Sequence, residues 1–343
     1  MTIGEEGEHG QFNGFMLSPQ STTHVVDDRV EQSRERSCGR RRHPRHARGS
    51  FEQYGVVVLE NSAVLAVDIG GTKLAAAVVT PDGRIIRRDR IPTPVRDPWV
   101  ALSALIKRVR AASTDFDLMA CGVACGGPMA TGGERVSPLH IPAWREFPLR
   151  EQIHELTGLT THVDNDAKAL ALSEGWLGAA RDHRDFLAVV VGTGVGAGLV
   201  LDSRLVEGEA GNAGHIGHVV VADEGRRCRC GGTDCLEAFI SGVAIELETG
   251  RAPGYASAGL IERNGRLLGQ AVASIAALCD IRRVVVGGSV ALGWGVPFFD
   301  AANREFEARS RIGFTRGLDI VPVGLDDRSA LIGAAAIALR HML

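Results

Sequence analysis

Four potential metal ligands lie close together in the second half of the chain. Within 18 residues, inside the stretch 214–237, the sequence places His218, Cys228, Cys230 and Cys235. One imidazole and three thiols form the donor set of a closed, tetrahedral zinc site. Gly231 and Gly232 precede the last thiol, where a tight turn around a metal needs positive φ. The alternative, small buried core residues, is disfavoured by three neighbouring arginines, so we predict a structural zinc that fixes this loop.

Composition is typical of a globular protein. The 343 residues are enough for two ordinary domains, with 45% hydrophobic and 23% charged residues. A net charge of −3 gives no indication of a nucleic-acid partner, and no apolar run is long enough to span a membrane. The cysteines outside the metal cluster have no disulfide spacing; they are Cys38, Cys121, Cys125 and Cys279. We therefore expect a cytoplasmic protein in a reducing compartment.

Two glycine-rich turns each join a pair of predicted strands. The first runs from Asp68 through Gly70, Gly71 and Thr72 to Lys73, and the second comprises Gly192, Thr193, Gly194, Val195 and Gly196. Successive amides in such turns can cradle a phosphate, and Asp68 can reach a magnesium ion or its waters. Ordinary hairpin turns are the alternative, but two similar units indicate a duplicated fold that holds a phosphate chain from both sides. A third glycine turn, Gly287-Gly288, follows another predicted strand.

Polar residues also follow the short predicted strand 161–163. Asp164, Asn165 and Asp166 stand at its carboxyl end, before a predicted helix that runs through Ala180. Sheets of α/β proteins carry their sites at such strand ends, although Asn and Asp often serve only to cap a helix. Further helices are predicted over 148–157, 236–248, 259–279 and 329–339.

Residues 1–62 differ in composition from the rest of the chain. They are rich in Gly, Ser, Gln, His and charge and lack apolar periodicity, so we predict a disordered N-terminal extension. The arginine run at 40–48 could form a nucleic-acid-binding tail. Acidic residues nearly balance the basic ones over this segment, which favours a solvated extension or a mis-assigned start.

The order of these motifs resembles the ROK family, which contains sugar kinases, glucokinases, N-acetylhexosamine kinases and related repressors. The resemblance covers about residues 63–340, and the spacing of Gly217-His218 with the three cysteines and Glu237 is its most specific part. It implies an α/β, two-domain actin/hexokinase-like (ribonuclease H-like) ATPase fold with a zinc-stapled loop. The expected small domain is 63–165, completed by a C-terminal helix within 326–343. The expected large domain is 166–325, which contains the zinc loop 214–237.

The resemblance also assigns roles to the motif residues. It makes Asp166 the catalytic base and Asn165 a sugar contact, while His218 and Glu237 contact sugar hydroxyls and His218 also binds zinc. Gly70 to Lys73 and Gly192 to Gly196 hold the phosphates of ATP, and Gly287 and Gly288 hold the adenosine. The chemistry suits these residues, because a positioned carboxylate can accept the hydroxyl proton as the bond to phosphorus forms.

Departures from the family pattern affect the sugar site. His215 stands where the family usually has Glu, and His140 stands where it usually has Asn. Gly126 replaces a usual Pro, and the segment from Gly242 to about Gly269 is shorter than usual. We expect His140 and His215 to contact the substrate; their alternative role is to hold loops. The identity of the sugar is therefore left open.

We expect an ATP- and magnesium-dependent kinase that phosphorylates the primary hydroxyl of a hexose, nominally glucose. An N-acetylhexosamine (GlcNAc or ManNAc) or a cyclitol is the alternative substrate. A non-catalytic sugar-responsive regulator is the alternative from another class, but residues 1–60 lack the paired amphipathic helices of a helix-turn-helix. We expect a homodimer or homotetramer that binds neither nucleic acid nor membrane.

Overall fold

The computed structural model describes residues 61–342 and contains two mixed five-stranded sheets with helices packed on them. The predicted disordered extension, 1–62, lies outside the described residues except for Asn61 and Ser62. Ser62 already belongs to the first strand, so the predicted extension ends at least one residue earlier than expected. Within residues 61–342, no helix is both long enough and apolar enough to cross a bilayer.

The first sheet aligns three strand ends at one edge. Its strands are β1 (Ser62–Ile69), β2 (Lys73–Val79), β3 (Ile85–Pro92), β4 (Asp117–Cys125) and β5 (Thr161–Asn165), in the order β3-β2-β1-β4-β5. The parallel register pairs Ile69 with Cys125, and Cys125 with Asn165. The residues that follow these strands, Gly70, Gly126 and Asp166, therefore meet at the same carboxyl edge of the sheet.

The second sheet repeats part of this arrangement. Its strands are β6 (Phe186–Val191), β7 (Val195–Leu201), β8 (Arg204–Leu205), β9 (Arg283–Gly287) and β10 (Asp319–Pro322), in the order β10-β9-β6-β7-β8. Strands β6 and β7 form an antiparallel hairpin, as β1 and β2 do in the first sheet. Strand β9 runs parallel to β6 and pairs Gly287 with Val190, so the third glycine turn lies beside the second one.

Nine helices lie within residues 61–342. They are α1 (Pro98–Ala111), α2 (Leu149–Thr157), α3 (Asp166–Trp176), α4 (Glu237–Ile240), α5 (Gly242–Thr249), α6 (Ala258–Cys279), α7 (Ser289–Trp294), α8 (Val296–Arg309) and α9 (Ser329–Leu339). The bounds predicted for α9 are confirmed. The predicted helix 236–248 is wrong as a single element, because the hydroxyl of Ser241 accepts the N–H of Ala244 at 3.1 Å and begins a new helix.

Helix α3 packs between β7 and α9 with almost no space between backbones. A Cβ added at Gly198 of β7 would lie 2.6 Å from Ala171 Cβ and 2.9 Å from Ala167 O. On the other side, a Cβ added at Gly333 of α9 would lie 2.3 Å from Ala169 O. Only glycine fits at both positions. The closeness fixes the start of α3, where Asp166 lies, relative to both neighbours.

The other end of α3 is anchored by a buried carboxylate. Glu174 is fully buried, and its two oxygens accept the N–H groups of Ala179 at 2.8 Å, Gly324 at 2.8 Å and Leu325 at 3.2 Å. Ser329 Oγ donates to the same carboxylate at 3.1 Å. Glu174 therefore joins α3 to the segment that leads into α9.

We predict that Glu174→Gln lowers the free energy of unfolding by about 2 kcal/mol, because an amide nitrogen replaces an oxygen that accepts buried donors. Urea denaturation monitored by circular dichroism measures this change. Glu246→Gln, on the exposed face of α5, is the matched control and should leave stability within about 0.5 kcal/mol. Equal stabilities of wild type and Glu174→Gln would contradict the anchoring role.

Candidate active site

Asp68 lies near the end of β1, at the edge where three strands end. It is only 7% exposed. Burial raises its pKa from 3.8 to about 7; Lys73 acts in the opposite direction, and Asp166 adds to the rise. A carboxyl with this pKa is poorly solvated in the ligand-free protein. It is suited to a cation that replaces the lost water.

The first glycine turn is a tight hairpin between β1 and β2. Gly70 N donates to Lys73 O at 3.0 Å, which closes the turn. Thr93 fixes it from outside, since its hydroxyl donates to Gly70 O at 2.7 Å and its N–H donates to Thr72 O at 3.1 Å. The turn is therefore rigid, as a preformed phosphate cradle requires.

Asp166 occupies the first position of α3, beside its N-cap Asn165. The side chain of Asn165 accepts Ala167 N at 2.9 Å, and Asp166 Oδ1 accepts the same N–H at 2.9 Å. Asp166 Oδ2 lies 3.9 Å from a Cβ built at Gly126. The residue as a whole is exposed, yet the surrounding protein desolvates its carboxyl and raises the pKa of that group. A raised pKa makes this carboxylate a better proton acceptor.

The second glycine turn lies beside the start of α3. A Cβ at Gly196 would approach Ala167 Cβ to 3.2 Å, so the strand that leaves the turn packs directly behind Asp166. Gly192 O accepts Gly242 N at 2.7 Å. Gly288 has φ 94°, and an added Cβ would lie 2.3 Å from Val191 O. The structure thus brings all three predicted glycine turns together.

Glu237 connects the second turn to the metal loop. Its Oε2 accepts Val195 N at 2.8 Å, so the residue predicted to contact sugar also holds a turn predicted to bind phosphate. His215 and His218 follow on a segment that crosses β7, and Gly217 permits this because an added Cβ would lie 2.3 Å from Val195 O. The ring centroids of the two histidines are 6.0 Å apart, and His215 Nδ1 lies 3.0 Å from Asn212 O.

The four predicted metal ligands converge. The donor atoms of His218, Cys228, Cys230 and Cys235 all lie within 4.8 Å of one another. Cys230 Sγ is 3.7 Å from Cys235 Sγ, and Cys228 Sγ is 3.8 Å from His218 Nδ1. Ligands about 2.3 Å from a central ion in a tetrahedron are separated by roughly such distances. The cluster therefore fits a tetrahedral metal ion such as zinc.

Sequence reasoning missed the residues that shape the metal loop. Buried Asp234 accepts the N–H groups of Gly225 and Arg226, each at 2.9 Å, and so folds the loop back on itself. Glu248 of α5 bonds Arg226 at 2.8 Å and Arg263 at 2.7 Å. The two guanidinium groups, Arg263 first, lower the pKa of Glu248 to about 2. The sequence did carry a signal for Asp234, because it is an acidic residue between metal-binding thiols. No signal in the sequence indicated that Glu248 bridges two arginines.

A second missed group is a cluster of charges behind Asp166, of which Lys168 and Asp164 are buried. Lys168, 3% exposed, pairs with Glu207 and donates to Gly211 O at 2.9 Å. Arg340 bonds Asp164 at 2.7 Å and Glu207 at 3.0 Å. The signal was available, since Lys168 interrupts an otherwise Ala- and Leu-rich helix. The cluster connects the strand that carries Asn165 to the segment that leads to His215.

Comparison with known proteins agrees with this geometry. Residues 64–341 match the ROK family. The chain is 34% identical to the N-acetylmannosamine kinase of Citrobacter koseri over 80% of this chain and 98% of that protein. The ROK hexokinase of Thermus thermophilus superposes with a TM-score of 0.73 at 29% identity, over 82% of this chain and 99% of that one. The ROK family glucokinase of Streptomyces griseus, in complex with glucose and AMPPNP, superposes with a TM-score of 0.67 at 28% identity. The superposition covers 81% of this chain and 99% of that one.

The chain belongs to the ROK family. It is a kinase of that family, an ATP-dependent phosphotransferase. These findings confirm the predicted α/β fold of the hexokinase-like type.

We predict that Asp68→Asn stabilises the ligand-free protein above neutral pH. A raised pKa means that the folded state retains a proton which the unfolded chain loses, so unfolding free energy falls as pH rises from about 4 to 7. Removing the charge should raise Tm by at least about 2 °C at pH 8, and the difference should shrink steadily as the pH is lowered towards 4. Differential scanning calorimetry measures it. Asp117→Asn, an exposed residue of β4, is the control; a lower Tm for Asp68→Asn at pH 8 would refute the prediction.

Proposed function

We propose that this kinase transfers the γ-phosphoryl group of ATP to the primary hydroxyl of a hexose, with an N-acetylhexosamine as its preferred acceptor. The observation that carries the proposal is the position of Asp166, which follows β5 at the sheet edge that carries the first glycine turn and begins the helix against which the second turn packs. The two glycine turns hold the phosphates of the donor nucleotide from opposite sides. We expect the protein to act in the cytoplasm as a homodimer or homotetramer.

The proposed step follows from this arrangement. The acceptor oxygen forms a bond to the γ-phosphorus as the bond from phosphorus to the ADP oxygen breaks, and the hydroxyl proton passes to Asp166 Oδ2. Asn165 contacts the sugar next to this base. Burial supports Asp166 as acceptor, since it raises the pKa of the carboxyl. Magnesium supplies charge neutralisation of the phosphates when bound, and Asp68 is the carboxylate beside the first turn that would hold it or its waters.

The acceptor pocket supports an N-acetylhexosamine over glucose. The predicted sugar contacts on this side of the site are His215, His218 and Glu237. An ionised Glu at position 215 would accept hydrogen bonds from two hydroxyls, whereas a neutral imidazole offers one acceptor and one donor. An acetamido group in place of a hydroxyl offers an amide N–H donor and a carbonyl acceptor, which match the one acceptor and one donor of a neutral imidazole. The kinship with N-acetylmannosamine kinases, at 34% identity, points the same way. Gly287 and Gly288, beside the second turn, are the proposed adenosine contacts.

The Cys–His cluster is proposed to hold a structural zinc ion. All four positions come from the protein, which leaves none for substrate. Burial and the neighbouring thiols raise the pKa of Cys235 to about 12, so this thiol keeps its proton unless a cation takes its place. The ion would fix the loop between His218 and Glu237, and thereby the sugar side of the site.

We predict that ADP release is fastest with an N-acetylhexosamine when glucose, mannose, GlcNAc, ManNAc and a cyclitol are compared by kcat/KM. His215→Glu should shift the preference towards glucose by about tenfold, since a charged acceptor is worth about 1.5–3 kcal/mol. A coupled assay for ADP measures both changes. Asp166→Asn is the matched inactive control, with kcat lowered on the order of 10²–10⁴-fold.

Two results would contradict this proposal. A wild-type enzyme that strongly prefers glucose, and is weakened towards it by His215→Glu, would make His215 a glucose ligand. Retention of more than about a tenth of kcat by Asp166→Asn would assign the base to another residue.

We predict that purified wild-type protein contains stoichiometric zinc, and that Cys230→Ser loses most of it and unfolds at a lower temperature. Metal binding contributes to folding free energy, so losing a ligand weakens both zinc binding and the stability of the fold. Elemental analysis and thermal unfolding measure these effects. Cys279→Ser, at the end of α6 and outside the cluster, is the control. Fully active wild-type protein without zinc would refute the prediction.

A further inference from the structure

His140 lies where the two glycine turns and the base meet. A Cβ built at Gly71 of the first turn would be 2.6 Å from His140 Cβ and 3.0 Å from its Cδ2, so the ring lies against that turn. A Cβ built at Gly126 would be 3.1 Å from His140 Nε2 and 3.9 Å from Asp166 Oδ2. The imidazole nitrogen and the carboxylate therefore face the same point.

His140 also borders the second turn. A cavity of about 610 Å³ has His140 on one wall and Thr193, Gly194 and Glu237 on another. A donor whose phosphates contact both turns must pass this ring. The sequence suggested a sugar contact for His140, but its neighbours in the structure belong to the proposed phosphate path.

The loop that carries His140 is firmly held. Ile141 and Trp144 are 3% and 2% exposed, and the indole of Trp144 stacks on Phe147 with centroids 4.6 Å apart. Arg145 donates to Trp144 O at 2.8 Å, and Leu139 N donates to Gly127 O at 3.4 Å. The backbone that carries the His140 ring is therefore held in place, as a side chain that contacts a transition state requires.

The charges near His140 make a hydrogen-bond donor useful at this position. Asp68 and Asp166 lie near the first turn, where Lys73 is the neighbouring cation. The cavity that His140 lines also has Glu237 and three arginines, Arg226, Arg227 and Arg229, in its lining. The transferring phosphoryl group spreads negative charge over its equatorial oxygens. A donor group aimed at those oxygens stabilises the transition state more than the ground state.

We propose that His140 Nε2 donates a hydrogen bond to an oxygen of the phosphoryl group in transfer, which makes His140 a catalytic residue rather than a sugar contact. This inference rests on the proposed function. The bond from the acceptor oxygen to phosphorus forms, the bond to the ADP oxygen breaks, and the hydroxyl proton goes to Asp166. His140 keeps its own proton throughout.

The test compares His140→Ala, His140→Gln and wild type. Glutamine can place an amide N–H near the position of Nε2, whereas alanine cannot. We expect His140→Ala to lower kcat about 10²-fold with sugar KM changed less than about threefold, and His140→Gln to recover at least tenfold of the loss. His154→Ala, an exposed histidine of α2, is the control for histidine removal, and circular dichroism checks folding.

A binding measurement gives a second readout. Calorimetry measures how much aluminium fluoride, a mimic of the transferring phosphoryl group, tightens ADP binding in the presence of magnesium and sugar. We expect His140→Ala to lose at least about tenfold of this tightening while binding ADP alone like wild type. An unchanged kcat with a sugar KM raised tenfold would overturn the inference and leave the kinase proposal intact. Absence of turnover by wild type with every sugar would overturn both.

Discussion

The structure depends on how closely helix α3 packs between strand β7 and helix α9. Ala167, Ala169 and Ala171 meet backbone atoms on both sides, where Gly198 and Gly333 leave room. At contact distances this short, no side-chain rearrangement can absorb a shift of the helix. Asp166, the proposed base at the start of α3, is therefore fixed relative to the second glycine turn, while the register of β1, β4 and β5 fixes it relative to the first.

The charge cluster around Lys168 extends this constraint to the segment that leads to His215. Lys168 and Arg340 face Asp164 and Glu207, two cations against two carboxylates, so the cluster is balanced. Such a cluster adds little net stability, but removing one partner leaves an uncompensated buried charge. Because Lys168 also holds Gly211 O at 2.9 Å, the segment before His215 keeps one position. The cluster thus fixes the geometry of the segment before His215, a proposed sugar contact, more than it stabilises the fold.

Much of the fold could be predicted from local pattern. Apolar runs and glycine turns located most strands, and ligand spacing located the metal cluster, because each signal lies within a short segment. The helix 296–309 was missed, since Pro297 and scattered polar residues obscure its period. The roles of Glu174 and Lys168 and the packing of His140 against Gly71 depend on residues far apart in sequence. No local pattern records such contacts.

The electrostatics of the site link binding of the phosphoryl donor to the ionisation of two carboxyl groups. Asp68 and Asp166 both have raised pKa values, because the surrounding protein reduces the hydration of their charged forms. A magnesium–nucleotide complex would bring cationic charge to this edge and favour the ionised carboxylates. Under the proposed function, this stabilisation adds to donor affinity and favours the form of Asp166 that accepts a proton. The reduced hydration of the two carboxyl groups thereby couples donor binding to the proposed base.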